Sequence, residues 1–450
     1  MELIELLKRP EDKTLEFKRD LSSPSGILRS IVAFANSAGG VLLLGVEDDT
    51  RNVRGIEKPL EMEERMANLI SDGICPRLIP DIEILPWRCK NVLAVRVHPS
   101  PGRPHYLKNA GLQGGAYVRV GSTNRRADRE LIDELRRFTR GETFDEQAML
   151  DCDSEALDFK AASESFASVR GLKQSDLDTL RLMTTHQGRK VPTVGGMLLF
   201  GIERDRYFPD AWIQAGRFRG TDKADIIDTL EIRSLPVRSV EDAVAFVQKH
   251  ALRGMEIGAV HREERWNLPP AAVREAIVNA IVHADYSQRG APIRVSIFDD
   301  RLEVESPGLL PFGLTVDDLL QGVSKLRNRV IGRVFHELGL IEQWGSGIQR
   351  IVAVCRDAGL APPVLEEIGT HFRATIRTSS IAAPSVDEKD QTILDALAAG
   401  DGLSTQEVAS VIGLTARATR SRLLKLIERG LVVEIGISPQ DPKRRYFKAE

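Results

Sequence analysis

The stretch whose reading decides the fold is Arg274-Glu275-Ala276-Ile277-Val278-Asn279-Ala280-Ile281-Val282-His283-Ala284-Asp285. It has no interior Gly or Pro, and Ala276, Ile277, Ala280, Ile281 and Ala284 recur with the roughly 3.6-residue period of a helix. Glu275, Asn279 and His283 recur every fourth residue, so they form a polar column on an adjacent face. A carboxylate and a carboxamide one turn apart can share one small site. The carboxylate can orient a water or take its proton, and the amide oxygen can ligate a hard cation such as Mg2+. The competing reading is a solvated polar stripe on an amphipathic helix.

The flanking sequence favours a site. Pro292 to Phe298 alternates like a strand, Asp299-Asp300 turns, and Arg301 to Glu305 reads as its hairpin partner. That strand runs into Ser306-Pro307-Gly308-Leu309-Leu310-Pro311, a loop that lets backbone approach a ligand. Further on, Trp344-Gly345-Ser346-Gly347 opens an apolar helix from Ile348. A Gly-rich turn at a helix start offers free N–H groups and the positive dipole end to phosphate.

In this order of elements the chain resembles the GHKL superfamily of ATP-binding domains, and within it the branch of ATP-binding transcriptional regulators with an N-terminal Schlafen/AlbA-like domain. The resemblance implies that Glu275 is the water-activating carboxylate and Asn279 the Mg2+ ligand. It places the adenine-side loop at Ser306 to Gly308, and a phosphate lid from about Gly322 to Gly347, the phosphates lying against Gly345 and Gly347. Relatives carry an Asp where this chain has Ser306, and a hydroxyl anchors an adenine amino group less strongly than a carboxylate. In the lid, Lys325, Arg327 and Arg329 are candidate phosphate contacts; the alternative is an ordinary basic loop before a helix over 330–338. His283 reads as a structural histidine at the helix end.

The 450 residues are 42% hydrophobic and 28% charged with a formal net charge of −3, an ordinary balance for a globular chain. No global field favours nucleic acid or membrane, so such affinity must come from local patches. Cys75, Cys89, Cys152 and Cys355 lack metal-site spacing. No apolar run approaches the roughly 18 residues of a membrane span, and the N-terminus is not a signal sequence. A cytoplasmic location fits these features. There is no P-loop, no H-E-x-x-H and no G-x-S-x-G.

The expected architecture is α+β and multidomain: a Schlafen/AlbA-like module over 1–140, a GHKL α/β sandwich with its lead-in over 141–380, and a winged helix-turn-helix over 381–450. In the first part, strands are expected at Thr14–Lys18, Val41–Val46, Val92–Val97 and Tyr117–Gly121, with helices over Ser25–Ala38 and 128–139. "LEFK", "IVAFANSAGGVLLLGVEDD" and "YVRVGSTNRRAD" resemble the Schlafen/AlbA-like domain. That family implies nucleic-acid binding and, in some members, metal-dependent RNA cleavage by two Glu five apart and a later Asp. Glu11, Glu16 and Asp48 have that pattern. The preferred alternative pairs Glu16 with Lys18 on a strand face and leaves Glu11 an exposed loop acid. Between Arg119 and Arg140 seven Arg stand against four acids, and Arg119, Arg125 and Arg126 cluster around a Gly-Ser-Thr-Asn turn that can meet phosphate.

In the middle, 141–165 reads as a polar linker with a docking segment, and a helix follows over Ser175–Thr185. Val194–Gly201 is a buried element of undecided type. A strand is expected over Ala211–Phe218 and a helix over Val240–Ala251. In the last part, Ser379–Pro384 reads as a linker. Lys389–Ala399, a helix capped at Ser404 and another capped at Thr415 precede a hairpin of Leu431–Ile435 with Arg444–Phe447. The third helix should enter the major groove with Arg417, Thr419, Arg420 and Arg422 on or near the exposed face, and its apolar residues are Ala418, Leu423, Leu424 and Ile427. Lys443, Arg444 and Arg445 add charge on the wing: from Thr415 onward nine basic residues stand against four acidic ones.

These features point to a regulator that binds double-stranded DNA, with RNA as an alternative, in which Mg-ATP sets conformation or dimer state. Homo-oligomerisation and a weak ATPase are implied by resemblance only. The alternatives are a metal-dependent nuclease gated by ATP, and an ATPase subunit of a defence or repair assembly whose winged helix contacts protein.

Overall fold

The structure is a computed structural model that describes residues 3–48, 50–250, 253–257, 262–342, 345–378, 387–398, 402–428, 431–436 and 444–448. The side chains of 253–257, 262–266, 388 and 428 are not described. The segment Ser379–Pro384 and the turn of the C-terminal hairpin, with Lys443, lie outside these residues. The chain divides into two compact units, one of Met1–Ile132 with Ala382–Glu450, the other Asp133–Ile381.

The first unit is built on a four-stranded sheet in the order Leu15–Lys18, Gly40–Leu44, Lys90–Val97, Asp81–Trp87. The first two strands are parallel and therefore need a crossover, which helix Pro24–Asn36 supplies. Ile27, Ile31, Val32, Phe34 and Ala35 of that helix pack with Leu42, Leu44, Leu93 and Val95 of the sheet. Met66 and Ile70 of helix Pro59–Gly73 join the same core. That helix and strand Asp81–Trp87 were not expected: the helix is amphipathic but buries only Met66 and Ile70, and the strand buries little. The other face of the sheet, with Leu15, Phe17, Val41 and Leu43, packs against Leu3, Leu6 and Leu7 and against Val433, Ile435 and Phe447 of the C-terminal hairpin.

The winged helix comprises helices Glu388–Leu397, Thr405–Ile412 and Ala416–Glu428 and strands Val432–Ile435 and Arg445–Lys448. Ser404 and Glu407 form a reciprocal capping box, and Gly413 ends the second helix in the left-handed region (φ 64°). In the third helix the inward residues are Thr419, Leu423 and Leu426. Thr419 is fully buried, donating to the Thr415 carbonyl, which corrects its expected place on or near the exposed face, and Leu424 is exposed.

The second unit carries a six-stranded sheet in the order Asp225–Ile232, Ile213–Arg219, Ile293–Ile297, Arg301–Pro307, His371–Arg377, Val364–Ile368. Only the Ile213–Arg219 and Ile293–Ile297 pair is parallel. The central helix, Pro270–His283, packs against the sheet and against helices Pro236–His250 and Gly347–Asp357. Contact on several sides explains its composition: Val273, Val278 and Val282 are as buried as Ala276, Ile277, Ala280 and Ile281.

Residues 141–165 are no loose linker. Leu157 and Ala162 lie in the core, and Asp145 is completely buried. The Asp145 carboxylate accepts the backbone N–H groups of Arg329 (3.0 Å), Val330 (2.7 Å) and Ile331 (3.0 Å), capping helix Arg329–Glu337, whose own N-cap Asn328 makes no side-chain cap bond. Asn328 faces the other way and donates to the carbonyls of Val282 (2.9 Å) and Ala284 (2.7 Å) at the end of the central helix. The undecided element is helix Val194–Phe200, where a Cβ on Gly195 would lie 2.5 Å from Val330 Cβ, so glycine permits the close packing. The expected helix over Ser175–Thr185 is one turn, Asp176–Thr179, followed by strand Met183–His186.

Replacing Asp145 with Ala orphans three buried N–H donors and should destabilise the protein by about 1–3 kcal/mol. Urea unfolding checks this: the midpoint falls and the slope stays unchanged.

Candidate nucleotide cleft and nucleic-acid surfaces

Glu275 and Asn279 lie on the central helix where it faces helix Gly347–Asp357. The Asn279 amide nitrogen donates to Glu275 Oε1 at 3.2 Å, which leaves the amide oxygen as the acceptor end of the pair. A Cβ on Gly347 would stand 2.1 Å from that same Oε1 and 3.3 Å from Asn279 Nδ2, so the two helices meet at this distance because position 347 carries no side chain. Gly345 adopts φ 68°, a conformation glycine takes without strain, and Ser346 makes no side-chain cap, so the helix start keeps unsatisfied N–H donors.

These residues share one cavity of about 120 Å3. Its polar lining includes Glu275, Asn279, Ser324, Lys325, Ser346 and Arg350, and its apolar lining Val304, Leu309, Leu310, Leu314, Phe372 and Ala374. Ser306 and Gly308 also line it; Ser306 is inside strand Arg301–Pro307, while Gly308 turns the chain at φ 104°. Leu319, Val323 and Leu326, from the segment between the two glycine bends, close the side. A carboxylate, an amide oxygen, a helix start stripped to glycine and an apolar slot are the groups a magnesium-bound nucleotide needs, so the residues fit that ligand.

Burial raises the Glu275 carboxyl, and Arg350, with its Nη1 3.9 Å from Oε2, opposes the shift. His283 also lines the cleft; burial, and then Arg327, push it down to about 4, so its ring is neutral at pH 7. Arg327 itself is a correction. It is absent from the cleft wall: its guanidinium pairs with Glu134, donates to the Leu309 carbonyl and lies 4.0 Å from Asp285. A carboxylate pair in a desolvated site holds a guanidinium firmly, and here it fastens the residues before helix Arg329–Glu337 to the loop after strand Arg301–Pro307. Arg329 is likewise engaged, donating to the Gly141 carbonyl and Glu146. Lys325 stays in the wall, its ammonium 3.6 Å from the Phe138 ring centroid.

In the first unit, Arg125 and Arg126 are exposed on strand Thr123–Arg126. Arg119 is 1% exposed, which corrects its place among surface contacts: it pairs with Glu16, donates to the carbonyls of Asp12 and Leu15, and stacks over Phe34. Glu16 also pairs with Lys18 at 2.7 Å and accepts from Ser30 at 3.1 Å. Glu11 is half-buried rather than exposed and accepts the Phe17 N–H at 2.6 Å. Burial pushes its carboxyl up to about 7, with Glu16 alongside and a hydrogen bond to Asp48 adding to the rise. The three acids are therefore neighbours. Among the described residues, though, no three His, Cys, Asp or Glu side chains are grouped to hold a metal ion.

On the winged helix, Arg417 and Arg420 are exposed. Arg422 is turned back onto Asp387 (2.5 Å) and Asp390 (2.6 Å), Arg444 is buried against Glu434, and Arg445 is exposed while donating to the Gly402 carbonyl at 2.6 Å.

Three family models match separate parts of the chain. Residues 11–128 match "Schlafen, AlbA_2", residues 290–376 match "Putative ATP-dependent DNA helicase recG C-terminal", and residues 386–433 match "Winged helix-turn-helix DNA-binding". The chain thus carries an AlbA_2 region, an ATPase-like region and a winged-helix region in that order. The ATPase-like match begins after the central helix. No curated protein matches. Among solved structures, the chain is similar to the DIP2311 protein from Corynebacterium diphtheriae, with 19% identity, 97% of this chain and 92% of that one covered, and a TM-score of 0.44. It is also similar to the N-terminal domain of a RecG-related protein from Nitrosomonas europaea, titled a putative ATP-dependent DNA helicase, with 29% identity, 28% and 94% covered, and a TM-score of 0.24. Among the described residues no helix is long and apolar enough to cross a membrane.

The Gly347→Ala variant should keep its melting temperature within a few degrees, because the displaced atom is the end of a flexible glutamate, yet lose Mg-ATP binding by about tenfold or more as Glu275 is pushed into the cleft. Thermal melts and titration calorimetry on the same sample separate the two effects.

Proposed function

We propose that this protein is an ATP-binding, DNA-binding regulator in which Mg-ATP in the cleft of the second unit sets conformation or dimer state. The observation that carries the reading is the meeting of Glu275, Asn279, Ser306, Gly308, Lys325, Gly345 and Gly347 around one cavity. The apolar slot takes the base, with the Ser306 hydroxyl as its polar contact. The helix start at Gly347 and the Lys325 ammonium take the phosphates. The Asn279 oxygen holds the cation, and Glu275, whose carboxyl burial raises above its ordinary value, accepts a proton from an ordered water. Bound Mg2+ supplies charge neutralisation on the phosphate oxygens. Any turnover is slow, in keeping with a switch. The exposed Arg417 and Arg420 of the third winged helix reach duplex DNA, and Arg125, Arg126 and Arg445 add phosphate contacts.

Calorimetry with Mg-ATP, with and without duplex DNA, tests the reading: one nucleotide site per chain, an affinity that changes when DNA is present, and a reciprocal change in DNA affinity. Asn279→Ala should remove the magnesium-dependent part of nucleotide binding. Arg417→Ala with Arg420→Ala should weaken duplex binding and flatten its salt dependence by about two phosphate contacts. Absence of nucleotide binding by the native chain, or DNA binding indifferent to both arginines, would count against it.

The adjacency of Glu11, Glu16 and Asp48 favours one second reading, a metal-dependent nuclease. It requires Glu16 to leave Arg119. Under that reading Mn2+ or Mg2+ supports cleavage of single-stranded RNA and Glu16→Gln abolishes it; under the regulator reading neither protein cleaves.

A further inference from the structure

Beside Glu275 in the cleft stand two charged side chains, Arg350 and Glu342, that the function above leaves unused. Arg350 lies one turn into helix Gly347–Asp357 and lines the cavity. Its Nη2 pairs with Glu342, whose carboxylate also accepts the Ser346 hydroxyl at 3.1 Å. Its Nη1 stands 3.9 Å from Glu275 Oε2, too far for a hydrogen bond. Arg350 is thus a guanidinium held on one side by an exposed carboxylate and facing, on the other, the buried carboxylate assigned to the reacting water. Its side chain is 41% exposed, so moving it costs little packing. Among the described cleft-lining residues the cations are Lys325 and Arg350, since His283 is neutral, and Arg350 is the one beside Glu275.

A triphosphate brings its last phosphate against the Glu275 carboxylate, where like charges repel. A cation must be present there, and a planar fork of donors suits two phosphate oxygens. A diphosphate ends short of that position and does not need it. We propose that Arg350 is the residue by which this cleft distinguishes a nucleoside triphosphate from a diphosphate, exchanging Glu342 for the terminal phosphate when the triphosphate binds. The inference rests on the nucleotide reading of the cleft. Glu342, anchored by Ser346 just before the glycine bend, acts as the resting partner that the phosphate displaces.

The test is equilibrium binding of Mg-ATP and Mg-ADP to the full chain and to three variants. The native chain should prefer Mg-ATP. Arg350→Gln should weaken Mg-ATP about tenfold to a hundredfold while changing Mg-ADP less than about twofold, the size of a lost charge-assisted bond. Arg350→Lys should fall between, because it keeps the charge and loses the fork. Glu342→Gln, which frees Arg350, should tighten Mg-ATP a few-fold and leave Mg-ADP unchanged. If Arg350→Gln weakens both nucleotides equally, or neither, the assignment is overturned while the nucleotide site stands. If the native chain binds neither nucleotide, the reading of the cleft fails and this inference fails with it.

Discussion

The contact on which the second unit depends is the approach of the central helix to the start of helix Gly347–Asp357. Glu275 Oε1 occupies the space where any side chain at 347 would begin. Two helices that meet through a glycine leave backbone N–H groups, a carboxylate and an amide in one small volume, with no side chain between them. That volume is polar by necessity. It stays open because both helices are fixed from behind, the central one by a core that wraps most of its circumference and the other through Ile351 and Cys355.

Around that contact the polar groups fall into two classes. Some are already engaged within the protein: Asp145 caps a helix start, Asn328 donates to carbonyls at the end of the central helix, and Arg327 joins Glu134 to the Leu309 carbonyl. Others, namely Asn279, the glycine helix start and Arg350, keep capacity directed at the cavity. The first class holds the lid segment at both ends and gives it a defined frame. The second class is what a ligand can recruit. A buried cation paired as Arg327 is makes a poor ligand contact, because removing it from its partners leaves two carboxylates uncompensated. The first unit divides in the same way: Arg119 is an internal strut, and Arg125 and Arg126 remain at the surface.

The central helix, the hairpin after it, the glycine bends and the winged helix were legible because each rests on local signals, namely helical period, strand alternation, glycine placement and capping residues. The reach of Glu275 and Asn279 into a shared cavity with Gly347 was legible for the same reason, since helix spacing puts the pair on one face. What stayed hidden depends on long-range partners. Arg119 and Arg327 look identical to surface arginines in sequence, and only the fold brings Glu16 or Glu134 to them. Asp145 sits in a polar run whose purpose appears only when the helix start at 329 arrives beside it. Thr419 was placed on or near the exposed face on polarity alone, although a threonine that bonds its own helix carbonyl can face a core. Arg350 carried no local signal: its helix also holds Gln349, Arg356 and Asp357, and only the fold sets it between Glu275 and Glu342.

Amide hydrogen exchange with and without Mg-ATP reads the central contact most directly, since the claim concerns backbone N–H groups at one helix start and the segment that closes over it. The account predicts strong protection on nucleotide addition across 345–350 and across the cavity-lining residues of 308–326, with the core strand Ile293–Ile297 unchanged. Exchange at 345–350 that is the same with and without nucleotide would contradict it, because a phosphate seated at that helix start cannot leave those amides untouched.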